Sequence, residues 1–271
     1  MEPESKGGRM ADERRSVSIS GSGRMSGGAY AGVSISGSGR IEGDVICDTL
    51  RSSGSGKVDG SLETKEARIS GAGKVSGDTE AGQITVSGSG TFGSDVTSEE
   101  FRSSGVTRVD GSLRAKEAKS SGTLRVTESM SSEYVKTSGI LRVGADLEAE
   151  IFKSTGVFDV HGLLNADRVE VQLAGYCKAR EIGCEKIEVR LYAHRGAFLE
   201  GLARALLGQR GTARLEAQLI EGDEIYLEHT TAEVVRGKRV NIGPGCRIRS
   251  VEYTDSIEVD DEAEVGSQSK T

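Results

Sequence analysis

A glycine recurs every seventeen residues through more than a hundred residues of this chain. Eight glycines keep this spacing and Gly21 stands one residue short of it: Gly37, Gly54, Gly71, Gly88, Gly105, Gly122, Gly139 and Gly156. The residue before each of the nine is a serine or threonine. A fixed period of this length predicts a repeat architecture in which each unit stacks on its neighbours.

Each unit also carries three apolar positions, at four, eight and thirteen residues after its glycine, as in Val58, Leu62 and Ala67. None of them follows helical spacing, and β-branched residues are frequent, so the segments are predicted to be short strands. Three strands in every repeat predict an all-β fold, a single-stranded β-solenoid whose coil length equals the seventeen-residue period.

The corner around each glycine shows a trade in side-chain size between the positions two before and two after it. Large Ile35 is matched by Gly39, and small Ser120 is matched by Leu124. Close packing at constant volume requires such trades. Ser52 and Gly56 are both small, which predicts a void or a buried water at that corner.

Loss of the period divides the chain into segments. We expect a disordered tail at 1–15, a main β-helix at 16–194, a helical insertion at 195–211, C-terminal coils at 212–266 and a loose tail at 267–271. The C-terminal coils are predicted because the seventeen-residue spacing of apolar residues resumes there. It separates Ile225 from Ile242 and Ile242 from Val259, and it also separates Val240 from Ile257 and Val234 from Val251.

The insertion contains strong helix formers and ends at Gly208. Its apolar face consists of Phe198, Leu202, Ala205 and Leu206. A short amphipathic helix of this kind can cover strands or a coil end, dock a partner, or lie on a membrane surface. We favour the first of these.

Charge and cysteine content narrow the possible partners. The net charge of -7 disfavours nucleic acid, and no apolar run is long enough for a membrane span or a signal peptide, so a cytoplasmic location is expected. The cysteines Cys47, Cys177, Cys184 and Cys246 lack paired CxxC spacing. They are predicted to be small buried residues, with a disulfide or a metal site as less favoured alternatives.

Basic residues recur three places after the glycines: Arg24, Arg40, Lys57, Lys74, Arg108, Arg125 and Arg142. This basic stripe could bind an anionic polymer or lipid head groups. The favoured interpretation is a solvated face, partly neutralised by Glu42, Asp59 and Asp110.

Signatures of catalysis are missing. The serine and threonine ladder is too regular for a nucleophile, which needs one poised base, and is expected to bond corner backbone groups instead. Glu63, Glu80 and Glu148 form a spaced ladder rather than a cluster. No glycine-rich phosphate loop opens a helix. We therefore expect no enzyme, no cofactor and no resident metal.

The ends of a solenoid expose strand edges and an apolar cross-section unless they are capped. We predict an N-terminal self-association surface of Val17, Ile19, Met25, Val33 and Ile35. The predicted C-terminal surface is Ile257, Val259 and Val265, beside the acidic run 260–262, which can act against stacking. The N-terminal end is expected to be the stronger.

The repeat unit resembles the bactofilin family of polymer-forming bacterial cytoskeletal proteins, as in Ser36-Gly37-Ser38-Gly39-Arg40-Ile41-Glu42-Gly43. The closing part resembles the longer branch of that family known from Gram-positive rods, in residues 219–228, Val235-Arg236-Gly237 and Val251-Glu252-Tyr253.

This resemblance implies a right-handed triangular β-helix that assembles end to end, without nucleotide, into non-polar filaments or sheets. Such polymers act as scaffolds for cell shape, wall synthesis, division or motility structures. The implied partners are further copies of the chain, a paralogue and client proteins, with membrane contact only weak or indirect. The competing hypotheses are a monomeric binding rod that uses the basic stripe and, less favoured, a polysaccharide-active enzyme.

Overall fold

The computed structural model describes residues 14–192 and 213–271, which form a parallel β-solenoid of about 14 turns. No helix occurs within these ranges. Each turn pairs in parallel with the next, as Leu113 does with Met130 and Met130 with Leu147. The predicted all-β solenoid is thus confirmed.

One short strand and two long ones open the solenoid, and alternating four-residue and eight-residue strands follow. The first three are β1 (Val17–Ile19), β2 (Ser22–Ile35) and β3 (Ser38–Ser52). The regular coils are built from β4 (Ser55–Val58), β5 (Leu62–Ile69), β6 (Ala72–Val75), β7 (Thr79–Val86), β8 (Ser89–Phe92), β9 (Val96–Ser103), β10 (Val106–Val109), β11 (Leu113–Ser120), β12 (Thr123–Val126), β13 (Met130–Thr137), β14 (Ile140–Val143) and β15 (Leu147–Ser154).

Each eight-residue strand contains a bend. In β5, Thr64 and Glu66 pair with the next coil, but Lys65 between them does not. The side chains of Thr64 and Ala67 both point inward on either side of this break. The second and third predicted strands are therefore merged into one strand that turns a corner, and each coil keeps three apolar positions.

The core is a set of three apolar columns, as the spacing predicts. Val58, Leu62 and Ala67 are all buried, and the same holds for their counterparts in the following coils. Aromatic rings also pack in this core: Phe92 and Phe101 meet edge to face with centroids 6.3 Å apart.

The repeat glycine is required by a close backbone approach. A Cβ atom on Gly105 would lie 1.8 Å from the carbonyl oxygen of Gly88, and on Gly122 it would lie 2.0 Å from that of Gly105. No side chain can occupy that space, because real Cβ contacts do not come so near. The close stacking of consecutive corners is therefore the reason for the column of glycines.

The predicted trade in corner size is also confirmed. A Cβ atom on Gly39 would lie 2.9 Å from Cγ2 of Ile35, and Ser103 instead hydrogen bonds Thr107 across the corner at 2.7 Å.

The space predicted at Ser52 and Gly56 is narrowed by a neighbouring coil. Ile35 reaches into this corner, with its Cδ1 atom 3.1 Å from where a Gly56 Cβ would be. The hydroxyl of Ser52 is buried there and has no hydrogen-bond partner in the described chain. The side chain of Ile35 from the preceding coil therefore fills part of the predicted void. A buried water bonded to Ser52 stays a prediction.

The remaining strands are long and irregular: β16 (Val157–Leu173), β17 (Tyr176–Leu191), β18 (Arg214–Leu227), β19 (Thr230–Ile242), β20 (Arg247–Val259) and β21 (Glu264–Lys270). Val171 pairs with Val189, which is one residue further along the chain than the regular period would place its partner. Leu215 pairs with Thr230, which is two residues short of it. Coil length therefore varies in this part of the molecule.

The predicted C-terminal register is partly wrong. Ile225 pairs with Val240 rather than Ile242, and Val251 pairs with Val235 rather than Val234. The expected seventeen-residue spacing is followed where Ile242 pairs with Val259 and Val240 with Ile257. Shorter corners in the other coils account for the shift.

The segment boundaries also differ from the expectation. β18 pairs directly with β17, so the coils on either side of residues 193–212 belong to one sheet. The predicted tail at 267–271 is mostly strand, since Ser267 to Lys270 in β21 pair with β20. The predicted helix at 195–211 lies outside the described residues, as does most of the predicted N-terminal tail.

Candidate interaction surfaces

The predicted N-terminal surface is split between two layers. Val17 and Ile19 pair with Val33 and Ile35, which lie one coil further in. Val33 and Ile35 are only 2% and 1% exposed, whereas Val17, Ile19 and Met25 are half-buried. The accessible layer is therefore Val17, Ile19 and Met25, and including Val33 and Ile35 was wrong.

This first layer ends in a free strand edge. Within the described residues, β1 pairs only with β2, and the first half of β2 pairs only with β3. Gly21 lies in this layer, and no described atom comes within 4 Å of the position that its Cβ would occupy. The corner that is closed in every regular coil is open here.

The C-terminal surface matches its prediction more closely. Ile257 and Val265 are half-buried and Val259 is 37% exposed. In the described part of the chain, no strand pairs with the outer edge of Ile257 and Val259. Beside them the carboxylate of Asp260 accepts the backbone N–H of Glu262 at 2.9 Å, which shapes the exposed acidic turn.

The basic stripe is a true register column. Arg24 pairs with Arg40, Arg40 with Lys57 and Lys57 with Lys74, and after Thr91 the column continues through Arg108, Arg125 and Arg142. The side chains lie on the outside of the solenoid.

Acidic neighbours neutralise only part of this stripe. Asp59 lies 2.5 Å from Nζ of Lys57 and also contacts Arg40, and the hydrogen bond from Lys57 lowers the pKa of Asp59. Arg108 forms an ion pair with Asp110. None of the described carboxylates lies within 4.0 Å of the cationic group of Lys74, Arg125 or Arg142.

A second basic column, which the sequence analysis missed, lies on the other side of the same corner. It consists of Arg51, Arg68, Arg102, Lys119, Lys136 and Lys153, with Thr85 between the second and third. These residues stand three places before each glycine, so the same period carried the signal. The serine–glycine corner therefore runs between two rows of cations.

The serine and threonine ladder does not bond the corner backbone as predicted. No side-chain hydrogen bond is formed by the described hydroxyls of this column, such as Ser53 and Ser87, and both of these residues are exposed. The corner is closed by the backbone instead: the N–H groups of Ser53 and Gly54 both donate to the carbonyl of Ile35, at 2.9 and 3.3 Å.

The sequence singles out two sets of reactive side chains, the cysteines and the acidic ladder. All four cysteines are free, and burial raises the pKa of Cys177 and of Cys246 to about 11, which keeps both as unreactive thiols at neutral pH. Glu63 and Glu80 are neighbours in one column, but Glu148 lies several coils away. No group of three or more potential ligands in the described chain could hold a metal ion.

The two remaining features are the predicted cap helix and a membrane span. Phe198, Leu202, Ala205 and Leu206 of the predicted cap helix lie outside the described residues. Among the residues that are described, there is no helix of the length and apolar character needed to cross a bilayer.

Comparison with known proteins finds relatives but no function. The uncharacterized protein YhbE of Bacillus subtilis (strain 168) is 42% identical over 112 residues, covering 41% of this chain and 44% of the relative. The uncharacterized protein YhbF of the same strain is 37% identical over 110 residues, covering 40% and 42%. The chain thus spans less than half the length of these curated relatives. No family model and no solved structure matches it.

Proposed function

We propose that this protein is a nucleotide-independent, self-assembling scaffold of the bactofilin type. It joins copies of itself through contacts between coil ends, in the cytoplasm or at the membrane. The observation that carries this proposal is the pair of uncapped terminal layers, each with an apolar surface and a free strand edge within the described residues. A resemblance to bactofilins in the repeat unit supports it.

Gly21 gives a second, independent argument. In the regular coils the glycine is required because the carbonyl of the preceding coil lies about 2 Å from its would-be Cβ, for example 2.1 Å for Gly37 against Gly21. No described residue imposes this requirement on Gly21 itself. A second molecule would impose it if it stacked on this end at ladder spacing and directed a backbone carbonyl at this corner.

The N-terminal end is the favoured contact. Its accessible layer of Val17, Ile19 and Met25 is apolar, whereas the opposite layer lies beside the exposed acidic turn at Asp260 and Glu262. Two such turns brought together would repel each other, since like charges in close contact are unfavourable.

The test is negative-stain electron microscopy of the purified chain without nucleotide, at low and at high salt. Filaments or sheets in both conditions are expected, because apolar end contacts are insensitive to screening. Single rods at every concentration would contradict the proposal.

Two variants sharpen this test. Gly21→Ala adds one methyl group that meets none of the described atoms within 4 Å, so it should leave the fold intact while shortening or abolishing filaments. Ile19→Asp should do the same by placing a charge in the end layer. Ile46→Asp is the matched control, because Ile46 is 44% exposed on the side of the solenoid. Filaments of normal length from both end variants would rule out this end as the contact.

Val33→Asp is unsuitable for the same purpose. Val33 is buried beneath Val17, so an aspartate there tests folding rather than assembly.

A further inference from the structure

An exposed apolar row runs along one corner of the regular coils. Val106, Thr123, Ile140 and Val157 are successive partners in the parallel register, one residue after each repeat glycine. Val106 is 57% exposed and Ile140 is 38% exposed. In earlier coils this column holds Ser38, Ser55, Ala72 and Ser89. We call Val106, Ile140 and the half-buried Val157, together with the half-buried Thr123 between them, the apolar crest.

Cations flank this crest on both sides. In one coil the outward side chains are Lys136, Ser138, Ile140 and Arg142, while Thr137 and Leu141 between them are buried. The neighbouring coils repeat the arrangement. The two basic rows that flank the crest are Arg108, Arg125 and Arg142 on one side and Arg102, Lys119, Lys136 and Lys153 on the other.

Acids neutralise only part of these two rows. Ion pairs are formed by Arg102, Arg108, Lys119 and Lys153. Thr127 and Gly144 stand where Asp110 pairs with Arg108, and Tyr134 stands where Glu117 pairs with Lys119. Consequently Arg125, Lys136 and Arg142 have no carboxylate of the described chain within 4.0 Å. A protein of net charge -7 thus carries a local cationic ridge.

The ridge also offers hydroxyl groups beside its cations. A shallow groove of about 380 Å³ runs between the basic row of Arg102, Lys119 and Lys136 and the serine row of Ser104, Ser121 and Ser138. Ammonium, guanidinium and hydroxyl donors in parallel rows suit phosphate oxygens. The coils repeat at about 4.8 Å, so the crest presents a straight line about 14 Å long.

We propose that this cationic ridge docks on the surface of an anionic lipid bilayer. The two basic rows bind head-group phosphates, and Val106 and Ile140 enter the interfacial region between the head groups. An acidic polymer would use the cations but gives no role to an exposed valine and isoleucine, so the crest favours a bilayer. This inference does not depend on end-to-end assembly.

The experiment is vesicle flotation in a density gradient, which separates bound protein from polymers that sediment by themselves. The assembly-impaired chain Ile19→Asp is used alongside the unmodified one. Both are expected to float with vesicles of phosphatidylglycerol and phosphatidylcholine at physiological salt, and to stay behind with pure phosphatidylcholine.

Two sets of changes separate the contributions. Arg125→Gln with Lys136→Gln and Arg142→Gln should weaken binding at least tenfold, and Val106→Ser with Ile140→Ser should weaken it severalfold. Ile46→Ser, which removes an exposed isoleucine from another face, should bind as the unmodified chain does. Circular dichroism of each variant checks that the β-fold is kept.

Three outcomes would overturn the proposal. The first is no flotation with anionic vesicles, and the second is equal flotation with neutral ones. The third is full binding by the Val106→Ser, Ile140→Ser chain together with tight binding to soluble polyphosphate, which would identify a linear polyanion as the ligand.

Discussion

Coils of constant length and coils of varying length occur in the same solenoid. From Gly37 to Gly156 the seventeen-residue period is strict, and a Cβ atom on any glycine of this column would lie within 2.1 Å of a carbonyl oxygen in the preceding coil. From β16 onward the spacing changes, being shorter between Leu215 and Thr230 and longer between Val160 and Ala179. There Gly183 would accept a Cβ after a small shift of the Asn165 side chain, whose Oδ1 is the nearest atom at 3.2 Å.

The two regions also arrange charge differently. In the regular coils, many ion pairs join residues two apart on one strand, as in Arg68 with Glu66 and Lys119 with Glu117. In the later coils more of them bridge adjacent turns: Glu224 contacts both Lys186 and Arg239. Some pairs of the regular coils also bridge adjacent turns, as Lys116 does with Glu99, but most of the pairs within one coil lie in this region. Where the sequence varies between coils, opposite charges can face each other across turns.

The corners show a third difference. Buried hydroxyls occur at regular corners, and those of Ser52, Ser120 and Thr137 have no hydrogen-bond partner in the described chain. The corresponding column in the later coils is apolar, with Val189, Leu227 and Ile242 fully buried. A buried hydroxyl without a partner lowers the stability of the fold, so these regular corners are less favourable than the apolar later ones.

The strongest test of the difference in glycine packing is Gly105→Ala. The added methyl group must displace backbone rather than a flexible side chain, so we expect a loss of about 3 kcal/mol or more in the free energy of unfolding. Denaturant-induced unfolding followed by circular dichroism measures it.

Two matched glycines serve as controls for that prediction. Gly183→Ala meets only side-chain atoms, and Gly21→Ala meets none of the described atoms within 4 Å, so both should unfold close to the unmodified chain. Equal losses in all three variants would mean that backbone approach is not what sets the glycine period.

A smaller effect is expected at the corner hydroxyls. Thr137→Val gives a regular corner the apolar character of the later ones and removes a buried hydroxyl that has no partner in the described chain. It should therefore stabilise the fold by about 1 kcal/mol or leave it unchanged. Thr107→Val removes the hydrogen bond with Ser103 and leaves the buried serine hydroxyl unpaired. That change should cost about 1–3 kcal/mol.

Both of these variants replace threonine with valine at a buried corner, so side-chain volume is controlled. The free energy of unfolding from denaturant titration distinguishes them. If Thr137→Val destabilised the fold as much as Thr107→Val, the hydroxyl of Thr137 would have to form a hydrogen bond in solution.

The sequence period predicts the regular coils well because stacking repeats each residue's environment. It correctly places the three apolar columns, the size trade at Ile35 and Gly39, and the basic stripe. It fails where coil length changes, since Ile225 and Ile242 are seventeen apart by coincidence and do not pair. A column also does not reveal which of its members is outermost, which is why Val33 was placed in the end layer.

The missed parts of the surface have a related cause. The apolar crest arises from three replacements, Val106, Ile140 and Val157, within a column that is otherwise mostly serine or small. Because most members of the column are small or polar, the repeat pattern alone does not indicate an apolar surface. The solvent exposure of Val106 and Ile140 in the folded coils shows that they share one ridge with two basic rows.

The last prediction concerns acid and the ion pairs that bridge later coils. Hydrogen bonds from Lys186 and then Arg239 lower the pKa of Glu224 to about 2, against an ordinary value of 4.5. A carboxylate with a depressed pKa in the fold stabilises it above its unfolded pKa, and this contribution is lost as the pH falls from about 4.5 to about 2. Because the carboxylate is exposed, its effect on stability should be smaller than those of the glycine and the hydroxyl variants. Glu224→Gln should therefore narrow the difference in unfolding midpoint between pH 5 and pH 2.5.

Glu233→Gln is the matched control for this acid dependence. Glu233 is an exposed glutamate of the later coils without an ion pair in the described chain, so its replacement should leave the difference between the two midpoints unchanged. Equal narrowing by both variants would show that the bridge between coils contributes nothing specific, and that the contrast between the two regions is one of geometry alone.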